Sequence, residues 1–168
     1  MPVRFAFAAA VCLAVASFAL SATDAAAQCR AATEEENVAV AKAWHEDVIN
    51  LRNPAKLKEI LADSLVHHAA GGYPATMNVA GVAAMMDDFL IAFPDLKYTF
   101  DHLIAKGDYV VERYTATGTQ QGPLGALPAS GRRATWTGMN IFRLECGKIV
   151  EVWSQVDAIA RNRQLTGQ

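Results

Sequence analysis

Two adjacent histidines, His67 and His68, a mid-strand arginine, Arg113, and a lone acid, Asp157, are the residues whose types could carry chemistry in this chain. An imidazole can take or give a proton near neutral pH, and a carboxylate can act as its partner. A guanidinium can polarise a carbonyl group or bind a carboxylate. Each residue also has a plainer use. His68 could cap the turn at Gly71-Gly72, and Asp157 suits the N-cap of a helical tail from Ala158 to Leu165. Arg113, beside Glu112 and Tyr114, could close a cross-strand ion pair. The histidines are neighbours on an extended segment, so they must point to opposite faces. Their spacing does not suit a metal, and no second cluster of His, Asp or Glu supports one. No serine elbow, phosphate loop or cofactor motif occurs, so neither metal nor cofactor is expected. His45 and His102 have no distinguishing context.

The elements that must hold these groups follow from hydrophobic periodicity. Thr33 and Glu36 form a capping box, and Val38, Ala41, Trp44, Val48 and Leu51 recur at helical spacing, which predicts a helix over 34–51. Asn53-Pro54 predicts a second, short helix as N-cap and first-turn proline, with Leu57, Ile60 and Leu61 as its apolar face. A short extended piece, 65–68, is closed by Gly71-Gly72 and Pro74. Asn78 caps a third helix in which Val82, Met85, Met86, Phe89, Leu90 and Phe93 fall at steps of three and four. From Lys97 the period becomes two. Strands are expected from Lys97, over 109–119, over 133–145 and over 149–156, with a Gly- and Pro-containing loop at 120–131. The order predicts an α+β fold, with three N-terminal helices on one face of a curved, mainly antiparallel sheet. Such a cone has a mouth where a pocket belongs.

A two-residue turn at Cys146-Gly147 sets a register for the last hairpin. Counted without interruption, it puts Trp136, Asn140, Phe142, Glu151, Trp153, Gln155 and Asp157 on one face. The other face carries Met139, Ile141, Val150, Val152, Ser154 and Val156. Asn140 and Gln155 are then candidate pocket amides. Trp44, Met85, Met86, Phe89, Trp136 and Trp153 are candidate pocket walls, each equally explained as core. Glu151, opposite Phe142, reads as a solvent-facing or dimer-rim charge. A slip of one residue would exchange the two faces.

The N-terminus reads as a secretory signal peptide over 1–27: Arg4, an apolar run from Phe5 to Leu20, and Ala25 and Ala27 before the cut. The run is shorter than the ~20 residues that span a bilayer. A single domain, 28–168, remains, with a periplasmic or secreted location expected and no membrane attachment after cleavage. The net charge of −2 is unchanged by the cut, since Arg4 and Asp24 leave together. Such a balance excludes the clustered Lys and Arg of nucleic-acid binders and leaves a small molecule or another protein as partner. Of the two cysteines that remain, Cys29 and Cys146, export permits a disulfide; two free thiols are the alternative.

The stretches "AFPDL" (92–96), "GDYVVERYTATGTQQG" (107–122), "SGRRATWTGMNIFRLECGKIVEVW" (130–153) and "DAIARNRQL" (157–165) resemble the SnoaL-like polyketide cyclases. These are also called ester cyclases and belong to the NTF2-like superfamily. "LVHHAAGG" (65–72) looks like the family's short His-containing segment, with His68 the better match. The resemblance implies an NTF2-like cone, a homodimer packed through the sheet, a pocket for a small hydrophobic ligand, and ring closure by proton transfer without cofactor. Such cyclases commonly carry an "HWD"-like run on the last strand. Here the run is "VWSQVD", with Val152 and Ser154 in place of the His and the acid. His68 is then the leading acid/base group and Asp157 a second, with Arg113 the candidate to polarise a carbonyl or bind a carboxylate. An exported enzyme acting on a carbonyl compound (cyclase, isomerase or hydrolase) is the first reading. A periplasmic binding or accessory protein with the same pocket and no turnover is the rival. A purely structural dimer module is a third.

Overall fold

The computed structural model describes residues 29–69, 72 and 74–168. The signal-peptide reading concerns 1–27, outside the described residues. Helix α1 (Glu34–Ala43) starts at the Thr33–Glu36 capping box, with both reciprocal hydrogen bonds made. The single helix expected over 34–51 is instead interrupted. After Ala43 the chain widens into a π-helical turn, Glu46–Asn50. The widening lets consecutive residues face inward, and Ala43, Trp44 and His45 are all buried, as are Val48 and Ile49. Asn53 makes no side-chain cap; a short 3-10 turn, Pro54–Lys56, leads into α2 (Leu57–Ile60).

Strand β1 (Leu61–His68) begins directly after α2, earlier than the extended piece expected at 65–68. It pairs with a strand the periodicity did not reveal, β2 (Ala75–Asn78). Asn78 accepts from the Gly81 amide at 2.8 Å and caps α3 (Val79–Ala92). The long strands follow: β3 (Lys97–Lys106), β4 (Tyr109–Thr119), β5 (Arg133–Glu145) and β6 (Lys148–Val156). Helix α4 (Ala158–Thr166) closes the chain. The six strands form one sheet in the order β2-β1-β6-β5-β4-β3. All neighbours are antiparallel except β1 and β6, which run parallel. The helices cover one face of this curved sheet, and the core lies between them. Val82, Met86 and Ala92 of α3, and Phe93 just after it, are buried there; a large apolar side chain so placed stabilises by about 1.5–3 kcal/mol.

The β5–β6 hairpin turns where expected. Cys146 and Gly147 both have positive φ, the backbone of a type I′ turn. Glu145 pairs with Lys148 and Leu144 with Ile149. A bulge at Val150 then shifts the register by one, so Arg143 meets Glu151, Phe142 meets Val152 and Asn140 meets Ser154. Beyond the bulge the predicted faces are exchanged. Val152, Ser154 and Val156 join Trp136, Asn140 and Phe142 on the helix side, and Glu151, Trp153 and Gln155 move to the outer side. Cys29 and Cys146 are joined by a disulfide with Cα atoms 5.5 Å apart, which ties the start of the described chain to the hairpin tip.

Candidate functional site

The sheet and helices enclose a cavity of about 240 Å³. Helix α3 contributes Met85, Met86 and Phe89; Trp44 and His45, between α1 and the π-helical turn, and Ile49 within that turn complete the helical wall. From the sheet come His67, Tyr98, Tyr114, Trp136, Asn140, Ser154 and Val156. The site residues of one sheet face are there by parity: Tyr114 on β4, Trp136 and Asn140 on β5, Ser154 and Val156 on β6.

Two polar clusters face this apolar space. In the first, His67 Nε2 lies 3.2 Å from Ser154 Oγ. His67 is 9% exposed. Burial first, and the charge of neighbouring His68 second, push its pKa below the ordinary 6.5. The imidazole is therefore neutral at pH 7, able to accept a proton. Ser154 occupies the position directly after the last-strand tryptophan.

The second cluster is deeper. Glu112, fully buried on β4, accepts from Asn140 Nδ2 at 2.9 Å. Its Oε2 is also 2.9 Å from His45 Nδ1, close enough for charge pairing but off the hydrogen-bond line. Glu112 Oε1 has no hydrogen-bond partner among the described residues. His45 stacks on Tyr98 with ring centroids 3.8 Å apart and meets Tyr114 edge-on at 4.9 Å. Asn50 clamps Tyr98 by bonding both its backbone N–H and its carbonyl, at 2.8 and 2.9 Å. Burial raises the pKa of both tyrosines far above the ordinary phenol value, and the Glu112 carboxylate adds to this. Their hydroxyls stay protonated and can donate to a developing oxyanion.

Helix α4 brings a buried cation to the same walls. Arg161 is 7% exposed, with its guanidinium 5.9 Å from the Phe89 ring centroid and 5.6 Å from that of Trp136. Its Nε donates to Asn162 Oδ1 at 3.2 Å, and its Nη1 has no partner among the described residues. Burying such a charge costs several kcal/mol. Two cation–π contacts offset about 0.5–2 kcal/mol each, so part of the cost stands.

Of the residues singled out in the sequence, Trp44, Met85, Met86, Phe89, Trp136 and Asn140 line the cavity. His68, Asp157, Arg113, Trp153 and Gln155 do not. His68 faces outward because His67, its neighbour on β1, faces inward; it bonds Glu151 at 2.8 Å and stacks on Trp153. Glu151 also accepts from Arg143 Nε at 2.9 Å. Its pKa is lowered by His68 first and Arg143 second. Arg113 sits on the outer face, paired with Asp101. Asp157 caps α4, accepting from the Ala160 amide at 2.9 Å. Trp153 and Gln155 were carried out of the site by the Val150 bulge. Residues that the sequence did not mark as site candidates also belong here: His45, Tyr98, Tyr114 and Ser154 line the cavity, while Glu112 and Arg161 are buried against its lining residues. One signal was available for Glu112. It shares the parity of Val110, Tyr114 and Ala116 on β4, an acid on an apolar face.

The family model for SnoaL-like polyketide cyclase matches residues 39–165. No curated protein matches the chain. Solved structures agree in fold. One is a protein of Jannaschia sp. CCS1, described as a SnoaL-like polyketide cyclase. It superposes with a TM-score of 0.75 at 20% identity, over 84% of this chain and 99% of its own. TsrD of Streptomyces laurentii superposes at 0.67 and 28% identity, over 77% of this chain and 98% of its own. A SnoaL-like polyketide cyclase of Agrobacterium tumefaciens C58 superposes at 0.64 and 25% identity, over 75% and 94%. With its helices on one face of a curved six-stranded sheet, and with the family model spanning most of its length, the chain belongs to the SnoaL-like polyketide cyclase family, in the NTF2-like fold.

Proposed function

We propose that this protein is an exported enzyme that moves protons on a small, largely apolar carbonyl compound without a cofactor. The observation that carries the reading is His67: a neutral imidazole facing the cavity, in a wall that also holds phenol and amide donors. In such a reaction the substrate's α-C–H bond breaks and its proton passes to His67 Nε2. The electron pair moves toward the carbonyl, and the enolate oxygen is met by the hydroxyl of Tyr98 or Tyr114, or by the Asn140 amide. The enolate carbon then either regains a proton, giving isomerisation, or bonds to a second carbonyl carbon, giving ring closure. In the second case the new alkoxide takes the proton back from the imidazolium. Ser154 holds the ring at Nε2 and can relay the proton. Trp44, Met86, Phe89 and Trp136 exclude water and fold the substrate.

The Cys29–Cys146 disulfide supports export, since such bonds persist in oxidising compartments. The expected homodimer would use the outer sheet face, where Ile104, Val111, Ile141 and Trp153 stand in register across β3, β4, β5 and β6. Ser154 at the place of the family acid favours the second reading, a binding protein without turnover. The test is proton exchange. Cyclic ketones would be incubated with the protein in D2O and their α-hydrogens followed by NMR. Exchange above buffer that is lost in His67→Gln supports the enzyme. Ketones that bind, yet exchange no faster than in buffer, would leave the binding protein.

A further inference from the structure

We infer that Asn140 selects a ligand that carries a hydroxyl group as well as its carbonyl, and that the buried carboxylate of Glu112 sets this preference by turning the amide. The inference rests on the reading of the cavity as a site for a small carbonyl compound and narrows that compound to a hydroxy ketone. Asn140 determines specificity by direct contact, and Glu112 is a positioning residue behind it.

The amide of Asn140 has two unlike ends, one that donates and one that accepts. A carboxylate only accepts, so the end that bonds Glu112 at 2.9 Å is the NH2 group. The opposite end, Oδ1, makes no hydrogen bond among the described residues. Nor is it enclosed: the buried side-chain atoms without a partner there are Asn37 Oδ1, His45 Nδ1, Glu112 Oε1 and Arg161 Nη1. Asn140 is 2% exposed and lines the cavity, so the open surface of Oδ1 is cavity surface. An acceptor fixed in an apolar space is answered by an O–H donor, and a ketone oxygen has none to offer. The enolate oxygen is then left to the Tyr98 and Tyr114 hydroxyls, which donate.

Register places the hydroxyl relative to the reacting carbon. Asn140 pairs directly with Glu112 on one side and with Ser154 on the other, so the three form a row across β4, β5 and β6 on the helix side. Facing Cβ atoms in such a row are about 5 Å apart. At its end His67 Nε2 meets Ser154 Oγ at 3.2 Å. A hydroxyl at Asn140 and a C–H bond at His67 thus belong to ligand carbons about two or three bonds apart.

The experiment compares 4-hydroxy-1-tetralone, 4-methoxy-1-tetralone and 1-tetralone. All share a ring body and a carbonyl, and the ether keeps the second oxygen but loses the donor. Affinities are read by calorimetry on the purified protein. The hydroxy ketone should bind about three- to tenfold more tightly than either of the others, the range that a hydrogen bond to a buried group supplies. In Asn140→Leu that lead should fall to within about twofold. In Glu112→Gln the new amide can donate as well as accept, so Asn140 is free to turn and the lead should shrink in the same way. A Glu112 with a structural role alone would weaken all three ligands alike and leave their ratio, which overturns its part. Should Asn140→Leu fail to fold, the wild-type comparison and Glu112→Gln still decide. Equal affinities in the wild type overturn the inference, as does binding of all three no tighter than millimolar, or a lead that survives Asn140→Leu. Ketone exchange in D2O without a hydroxyl preference removes this inference and keeps the enzyme; a preference without exchange keeps the inference, in a binding protein.

Discussion

Glu112 is the side chain whose removal should be felt most. It is fully buried, bonded to Asn140 at 2.9 Å and paired with His45 at 2.9 Å. Replacing it by leucine keeps roughly the same bulk but leaves Asn140 and His45 buried without the carboxylate they face. Breaking a buried pair in this way costs about 3–5 kcal/mol. The Asn140 amide, left without its acceptor, adds about 1–3 kcal/mol if it finds no other. At about 3 °C per kcal/mol for a domain of this size, Glu112→Leu should lower Tm by roughly 10–25 °C. His45→Phe should also be costly, by about 3 kcal/mol or more, because it leaves the carboxylate with the Asn140 bond alone. The double variant is the sharper measurement. With both partners replaced by apolar groups, only Asn140 remains unpaired, at about 1–3 kcal/mol. The double variant should therefore be more stable than Glu112→Leu alone, which additive sites forbid. Urea unfolding of the four proteins in a cycle gives the numbers. A double variant whose loss equals the sum of the singles, or a Glu112→Leu loss below about 1 kcal/mol, would refute the claim that the pair is buried and mutually dependent.

The remaining expectations concern the site and its frame. Because burial holds the His67 pKa below 6.5, exchange activity should rise with pH along a limb centred below 6.5 and be flat above it; a midpoint above 6.5 contradicts the assignment of His67 as base. The same depression has a stability sign: the unfolded chain takes up the proton first, so stability is full above pH 6.5 and falls as pH drops through the folded value. His67→Phe should flatten that part of a Tm-against-pH curve. Gly138→Ala should cost about 1–3 kcal/mol, since its methyl would collide with the Tyr114 hydroxyl and come within 2.8 Å of the Gln155 carbonyl oxygen. Unchanged stability in that variant would mean that Tyr114 does not rest on Gly138. Reducing the Cys29–Cys146 bond, which closes a loop with a sequence separation of 117, should cost about 2–5 kcal/mol in urea unfolding. An unchanged midpoint under reductant would show that the bond constrains nothing.

Features that depend on neighbours along the chain are legible before any fold is known. The capping box at Thr33, the apolar steps of α3 and the alternation in β4 and β5 fix helices and strands through bonds spanning a few residues. The Cys146-Gly147 turn is legible for the same reason. From these elements the α+β class follows, and the quoted motifs carry the family. Which face each side chain takes is instead chosen by packing across the fold. The bulge at Val150 lies between residues of ordinary β character, and nothing local marks it; it forms where β6 must pair with β5 on one side and β1 on the other. One extra residue there sends Trp153 and Gln155 outward and Ser154 inward. The choice between His67 and His68 is of the same kind, since adjacent strand residues always diverge and only pairing with β6 says which one enters the core. Arg161 and His45 are placed by helix packing, a long-range term with no signature in their own neighbourhoods. Secondary structure is set by contacts close in sequence, and this site is set by contacts far apart in it.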